Sequence, residues 1–345
     1  MCFRAQNFLR AEIYKKDDFI VDYSTIKERQ RMTKNRKLKI NSNMTLSKWI
    51  FFAVTCGVVL ALYIIFCVVP ILQSVKMSFF SWDGFYDKAG NYKNLEYLGW
   101  KNYTEVFKDT EFWVALKNDL VITLIKEVLI CFLTVLFAVT LTRFRMKTPE
   151  VVFYKFVFYV PNVISTIIIG SLWGFVFMPS EMGLMNAIFS FFKSGFDIDW
   201  IAQYPLGVIG FVASWCGVGL FMLTMIASIH QIPGELYEAA RIDGAGEMKQ
   251  LQYITMPAVW LQVTFMVVSI LYQSLGGNFA LVNVFSPDGS VMVMGLYVYI
   301  KGYVGTGSNP LEIGYSYAAA LIMLLITCVI SLSVKFAMNK VGESL

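Results

Sequence analysis

The chain has 345 residues, 57% of them hydrophobic and 15% charged, with a formal net charge of +5. A soluble domain of that size needs far more charge to cover its surface, so the composition excludes an ordinary water-soluble globule. The apolar residues fall in blocks of about 20, the length that crosses ~30 Å of hydrocarbon as a helix.

Residues 1–48 come first in chain order and read as a basic N-terminal extension, with 12 Lys+Arg against 5 Asp+Glu. They hold no long apolar core and no small-residue cleavage site, so they read as a topogenic flank and not as a signal peptide. Nucleic-acid binding is not expected beside a span. Six apolar blocks follow, at 49–72, 120–141, 153–177, 205–230, 257–281 and 315–334. Each can satisfy its own backbone hydrogen bonds as a helix, which predicts an all-α integral membrane fold with six transmembrane helices over 49–340. A short tail, 341–345, closes the chain. Pro70 and Pro161 predict kinks in the first and third blocks.

Charge predicts the orientation. With the N-terminus inside, segments 1–48, 142–152, 231–256 and 335–345 hold 19 Lys+Arg, and the intervening outer segments hold 8. The positive-inside rule then places both termini and the 231–256 loop in the cytoplasm of a multi-pass plasma-membrane protein. Lys126 and Glu127 interrupt the second block; Lys126 is expected to snorkel to the outer surface.

The outer segments carry helical periodicity. Tyr103, Val106 and Phe107 recur at i, i+3, i+4, as do Phe112, Ala115 and Leu116. The segment after Gly183 and the stretch Val293–Tyr303 predict short interfacial helices. Turn chemistry marks Ser286-Pro-Asp-Gly and Gly305-Thr-Gly-Ser-Asn-Pro. Of six cysteines, five lie in the apolar blocks and none forms a CxxC pair; they read as small buried apolar residues. One histidine, His230, leaves no material for a histidine-based metal site or a Ser-His-Asp triad. No G-x-x-x-x-G-K-[ST] is present, so no nucleotide site is expected.

The loop 231–256 carries the mechanism. Pro233 lies at or near a helix start, where its missing N–H costs nothing, and Glu235 and Glu238 follow in the early turns. Gly244 suits a left-handed stop, and Ala239 and Ala240 leave a surface that a partner backbone can approach closely. Within the blocks, polar groups concentrate in the fourth (Ser214, Trp215, Gly217, Gly219, Thr224) and the fifth (Ser269, Tyr272, Gln273, Ser274, Asn278). Polar groups inside spans usually face the bundle interior, so Trp215, Gly217, Tyr272, Gln273, Ser274 and Asn278 are the candidate solute path. Aromatic rings beside amides and hydroxyls suit sugars. Packing between helices is the alternative role for each.

Residues 238–257 fit the pattern E-A-A-x3-G-x9-I-x-x-P, with YEAARIDGAG at 237–246 and Met256 in place of the usual Leu. This resembles the ATPase-docking loop of permease subunits in binding-protein-dependent ABC importers, most closely the carbohydrate-uptake branch. Gly99, Asn102, Tyr103, Phe107, Phe112, Trp113, Ala115 and Asn118 also match a segment of sugar permeases, and the resemblance covers about 49–340. It implies the type I ABC importer permease fold and no catalytic site in this chain. It gives Glu238 an ionic or hydrogen-bonding role, Ala239 and Ala240 packing roles and Gly244 a turn role, with Arg241 and Asp243 at the rim. It further implies a second permease, two ATPase subunits that bind the ATP and Mg, an extracytoplasmic sugar-binding protein and the surrounding lipid. The alternatives are a permease for another solute, such as a glycerol-phosphate ester, an ion-coupled carrier, and a membrane enzyme. The spans show no basic pocket that favours a phosphate.

Overall fold

The computed structural model describes residues 46–86, 90–143, 147–180, 182–193, 195–304 and 312–344. Nearly all of residues 1–48 and the turn at 305–310 therefore lie outside the described residues. The chain divides into two compact units, residues 1–70 and 71–345.

In the first unit, helix α1 (Leu46–Tyr63) passes into one wide turn, Ile64–Val68, where the Val69 N–H reaches back five residues to the Ile64 carbonyl. Pro70 follows directly, early in α2 (Val69–Met77). A proline ring crowds the carbonyl four residues back, and a widened turn gives it room.

In the second unit α2 is followed by a short antiparallel pair, β1 (Phe80–Ser81) and β2 (Glu96–Tyr97), an addition to the all-α expectation. Helix α3 (Lys101–Lys108) follows. Its periodicity is shifted from the expected one: Val106 is buried but Phe107 is exposed, and the inward position belongs to Asn102. The Asn102 amide donates to the Ser78 and Phe80 carbonyls at 2.8 and 3.0 Å, so it anchors α3 to the strand.

Asp109 stops α3 with an extended ψ of 116° and starts α4 (Thr110–Arg143) by accepting the Glu111 N–H at 2.8 Å. The second span is thus 34 residues long and begins ten residues before the predicted block. Asp109 also accepts hydrogen bonds from Tyr297 and Tyr315, at 2.7 and 3.1 Å, and pairs with Lys301. Burial pushes its carboxyl up, but the tyrosine bond, the Glu111 N–H and the lysine outweigh that and hold it below the ordinary value.

The third block is two helices, α5 (Thr148–Val163) and α6 (Thr166–Val176), bent by 103°. The bend falls at Ile164 and Ser165, both with ψ near 135–140°, three residues beyond Pro161. Helices α7 (Leu184–Phe192) and α8 (Trp200–Gln203) lead to α9 (Pro205–Ile229). After α10 (Gly234–Ile242) and α11 (Glu247–Gln250), a wide turn and α12 (Met256–Ala258) bend by 70° into α13 (Trp260–Ser274). The fifth block also ends early. Leu275 leaves the helix, Gly276 takes φ +82°, and Asn278 starts a separate α14 (Phe279–Phe285). Next come α15 (Met294–Tyr299) and α16 (Ile313–Ser344). The α15 segment forms the short helix expected there, with Met294, Leu296 and Tyr297 buried against the rest of the unit. Among the described residues four helical segments are long and apolar enough to cross a membrane, and the two bent pairs raise the number to six.

Helix α4 is the spine, packed most extensively along α9. Gly219 of α9 lies against the Phe158 carbonyl of α5, where a Cβ could not fit without moving backbone. Toward the Arg143 end of α4 the core holds Ala138, Leu141, Met222, Met225 and Met266; toward its Thr110 end, Phe112, Met294, Tyr297 and Ala319.

Candidate functional site

Two sites are strung along α4, one at its last turn and one near its middle. At the last turn stands α10. Its end is a complete Schellman closure: the Gly244 N–H donates to the Arg241 carbonyl at 3.1 Å and the Ala245 N–H to the Ala240 carbonyl at 2.8 Å. Gly244 takes φ +76°, a conformation that side chains with a Cβ resist. Glu238, Ala239, Arg241, Asp243 and Gly244 are exposed and Ala240 is partly so. Ile242 is 87% exposed, so the helix presents a large apolar side chain at its tip, beyond what the small-residue reading foresaw.

The buried side of α10 is one residue, Tyr237, whose hydroxyl lies 3.0 Å from Thr255 Oγ1. The Arg143 guanidinium, at the end of α4, stacks 3.9 Å above the Tyr237 ring. It also pairs with Glu247 at 2.9 Å and donates to the Gln250 side-chain oxygen, while Gln250 donates to the Ala245 carbonyl at 2.7 Å. A planar guanidinium can stack and fork at once, which a lysine ammonium cannot. α10 is therefore tied to α4 through Arg143, Tyr237 and Gln250. The sequence reading did not pick these residues out, because the tie joins segments about a hundred residues apart.

The second site is a cavity of about 230 Å³ lined by Lys126, Asn162, Gly217, Gln273 and Asn278 among others. Of the predicted path, Gly217, Gln273 and Asn278 come together here. Gly217 is also a packing position, since a Cβ there would meet Ile130 at 2.9 Å. Ser274 lies behind the wall, bonded to Thr123 at 2.9 Å. Trp215 and Tyr272 do not line the cavity: Trp215 packs edge-on to Trp173, and Tyr272 is 58% exposed. Of the polar residues of the fifth block, Ser269 is buried while Tyr272 and Gln273 are exposed.

Lys126 departs furthest from expectation. With α4 starting at Thr110, it lies about 24 Å along the helix at 1.5 Å per residue. It turns inward, its Nζ 3.4 Å from Asn278 Oδ1. The spans thus do hold a basic group facing a cavity. The other side of the Asn278 amide donates to Asp119 at 3.0 Å, and the second Asp119 oxygen accepts the Met294 N–H at 2.8 Å. The predicted boundaries had left Asp119 in the outer loop. The cue to its burial was the Asp109-Thr-Glu start of a helix that carries it inward.

A membrane bundle with an exposed, Schellman-capped helix tied to the end of one span, and a polar cavity within, matches a known family. Residues 130–342 match the binding-protein-dependent transport system inner membrane component. The chain belongs to that family.

The permease is 31% identical to the probable ABC transporter permease protein YurN of Bacillus subtilis (strain 168), an alignment covering 78% of this chain and 90% of that one. It is 27% identical to the diacetylchitobiose uptake system permease protein NgcF of Streptomyces coelicolor, over 87% of each. In fold it is similar to a chain of a bacterial ABC transporter involved in the import of alginate, with TM-score 0.70 and 20% identity over 90% of this chain and 99% of that chain. It is a multi-pass membrane protein with the type I ABC importer permease fold.

Proposed function

We propose that this permease forms half of the transmembrane pore of an ATP-driven importer for a sugar or oligosaccharide. The observation that carries the reading is α10, which exposes Glu238, Ala239, Arg241 and Ile242 while its stop and base are fixed by Gly244 and Tyr237. A short, rigidly based helix with an apolar tip and small flanks is shaped to seat in a cleft of another protein. The cleft is assigned to an ATPase subunit. Two such subunits supply the ATP and Mg sites, a second permease completes the pore, and an extracytoplasmic binding protein delivers the solute.

The carbohydrate assignment is supported by the relatives, which include permeases for diacetylchitobiose, for starch degradation products and for arabinooligosaccharides. The amide-lined cavity is consistent with it, because amides both donate to and accept from hydroxyls. Nucleotide-driven closure of the ATPases would move α10, and Arg143 would pass that motion to α4 and so to the cavity wall.

Two measurements test this. Uptake of a labelled oligosaccharide into vesicles should need ATP and persist when ion gradients are collapsed; uptake that follows the gradient would mean a secondary carrier. A single cysteine at Lys249, in a variant otherwise free of cysteine, should be labelled by an impermeant reagent only from the cytoplasmic side. Labelling from outside intact cells would reverse the orientation.

A further inference from the structure

The cavity carries a charge that the transport of a neutral solute does not use. Lys126 is an ammonium with three donors. Among the described residues its Nζ reaches one acceptor, Asn278 Oδ1, at 3.4 Å, which is long for a charged donor. Two carboxylates act on it at longer range, Asp119 and the neighbouring Glu127, and neither forms an ion pair with it among the described residues. One Asp119 oxygen receives the Asn278 amide at 3.0 Å and the other the Met294 backbone N–H at 2.8 Å. Asp119 is thus a buried brace between α4, the turn before α14 and the start of α15. Asn278 stands between Lys126 and Asp119 as a spacer, and Lys126 lines the cavity.

The rest of the wall fits one end of a sugar. The Asn162 and Gln273 amides and the Thr166 hydroxyl border the same space, with Ile130 and Phe221 as apolar surface for a ring face. Amides satisfy neutral hydroxyls, and an ammonium with no direct ion pair in a partly dry cavity can take an anion. A planar carboxylate can take two of the ammonium donors. The space is on the scale of a single sugar ring.

Resting on the carbohydrate reading above, we propose that Lys126 is a specificity-determining residue that binds the carboxylate of an acidic sugar, so the permease passes uronic-acid-containing saccharides.

The test uses the assembled importer and Cys216, which lines the same cavity. Modification of Cys216 by a small methanethiosulfonate is followed by peptide mass spectrometry in the presence of glucuronate, galacturonate, glucose, galactose or glycerol 3-phosphate at matched concentrations. The expected result is several-fold slowing by the uronates and none by the hexoses. Lys126→Met should abolish that protection and Lys126→Arg should keep it. Lys126→Met should also lower the ratio of anionic to cationic reagent rates, a readout that loss of packing would not move in one direction. Equal protection by acidic and neutral sugars overturns the inference and leaves the carbohydrate reading standing, as does protection that survives Lys126→Met. Protection by glycerol 3-phosphate alone overturns both. Protection by none of the probes removes the solute site from this cavity and sinks the inference, while the uptake assay still judges the carbohydrate reading. If Lys126→Met fails to assemble, the comparison of uronates with hexoses on the unaltered chain decides.

Discussion

The docking helix α10 and the Lys126 cavity sit on the same spine, α4, about 25 Å apart between Lys126 and Arg143, yet they are built in opposite ways. The end of α10 is closed by bonds between residues three and five apart, and only its base reaches across the chain. The cavity is held by bonds that join residues 151, 152, 159 and 175 positions apart. A locally closed element keeps its shape while the bundle shifts around it, which suits a part that must transmit force. A wall assembled from α4, α9, α13 and the α14 turn changes whenever those helices move, which suits a solute site that must open and close.

The largest test of that contrast is Gly244→Pro. Proline cannot take φ +76° and has no N–H for the Arg241 carbonyl. Uptake should fall to background and the ATPase should no longer copurify, while the membrane-inserted amount is unchanged. Normal copurification would show that the local closure does not matter to docking.

Next is Asp119→Ala, aimed at the long-range construction. It leaves the Met294 N–H and the Asn278 amide without their acceptor in a buried site, at about 1–3 kcal/mol for each unpaired group. The solubilised complex should melt several degrees lower and assembled yield should drop, with ATPase docking by the surviving complex unaltered. Unchanged stability would mean that Asp119 is not the brace.

Two smaller changes sharpen the tie between the regions. Ile242→Ala removes the apolar tip, and a side chain of that size contributes about 1.5–3 kcal/mol when buried, so ATPase affinity should weaken by roughly ten- to a hundredfold. Arg143→Ala, and Arg143→Lys nearly as much, should leave docking intact but uncouple ATP hydrolysis from uptake. Measuring both rates on the same proteoliposomes separates the two variants, and equal loss in both rates for Arg143→Ala would make it a docking residue instead.

The smallest effects divide the cavity from its surroundings. Gln273→Ala should raise the KM for uptake a few-fold without changing the amount of complex, because its side chain borders the cavity. Tyr272→Ala, one residue away and outside the cavity, should change neither by more than about 0.5 kcal/mol. A larger effect at Tyr272 would place the solute path, or a partner surface, on the other face of α13.

By itself the sequence determined the class of the molecule and the local closure of α10. Apolar blocks of spanning length allow hardly any other fate, since every backbone group must be satisfied inside the bilayer. The stop at Gly244 was legible because a Schellman closure needs only residues within one turn. The third and fifth blocks were placed correctly as apolar, and Pro161 announced a kink in the third, but its place at Ile164–Ser165, the bend at Val259 and the helix end at Leu275 were not visible. Hydropathy averages over a window and does not register where a helix changes direction. Burial on α3 shifted from Phe107 to Asn102 because two carbonyls, of Ser78 in the turn before β1 and of Phe80 in β1, needed a donor that α3 alone does not reveal. Lys126, Asp119 and Arg143 were all on the page as charges. What each one meets was decided by tertiary structure alone, since their partners Asn278, Met294 and Gln250 lie more than a hundred residues further along the chain. A charge in an apolar helix announces that it must be answered, and only the packed bundle supplies the group that answers it.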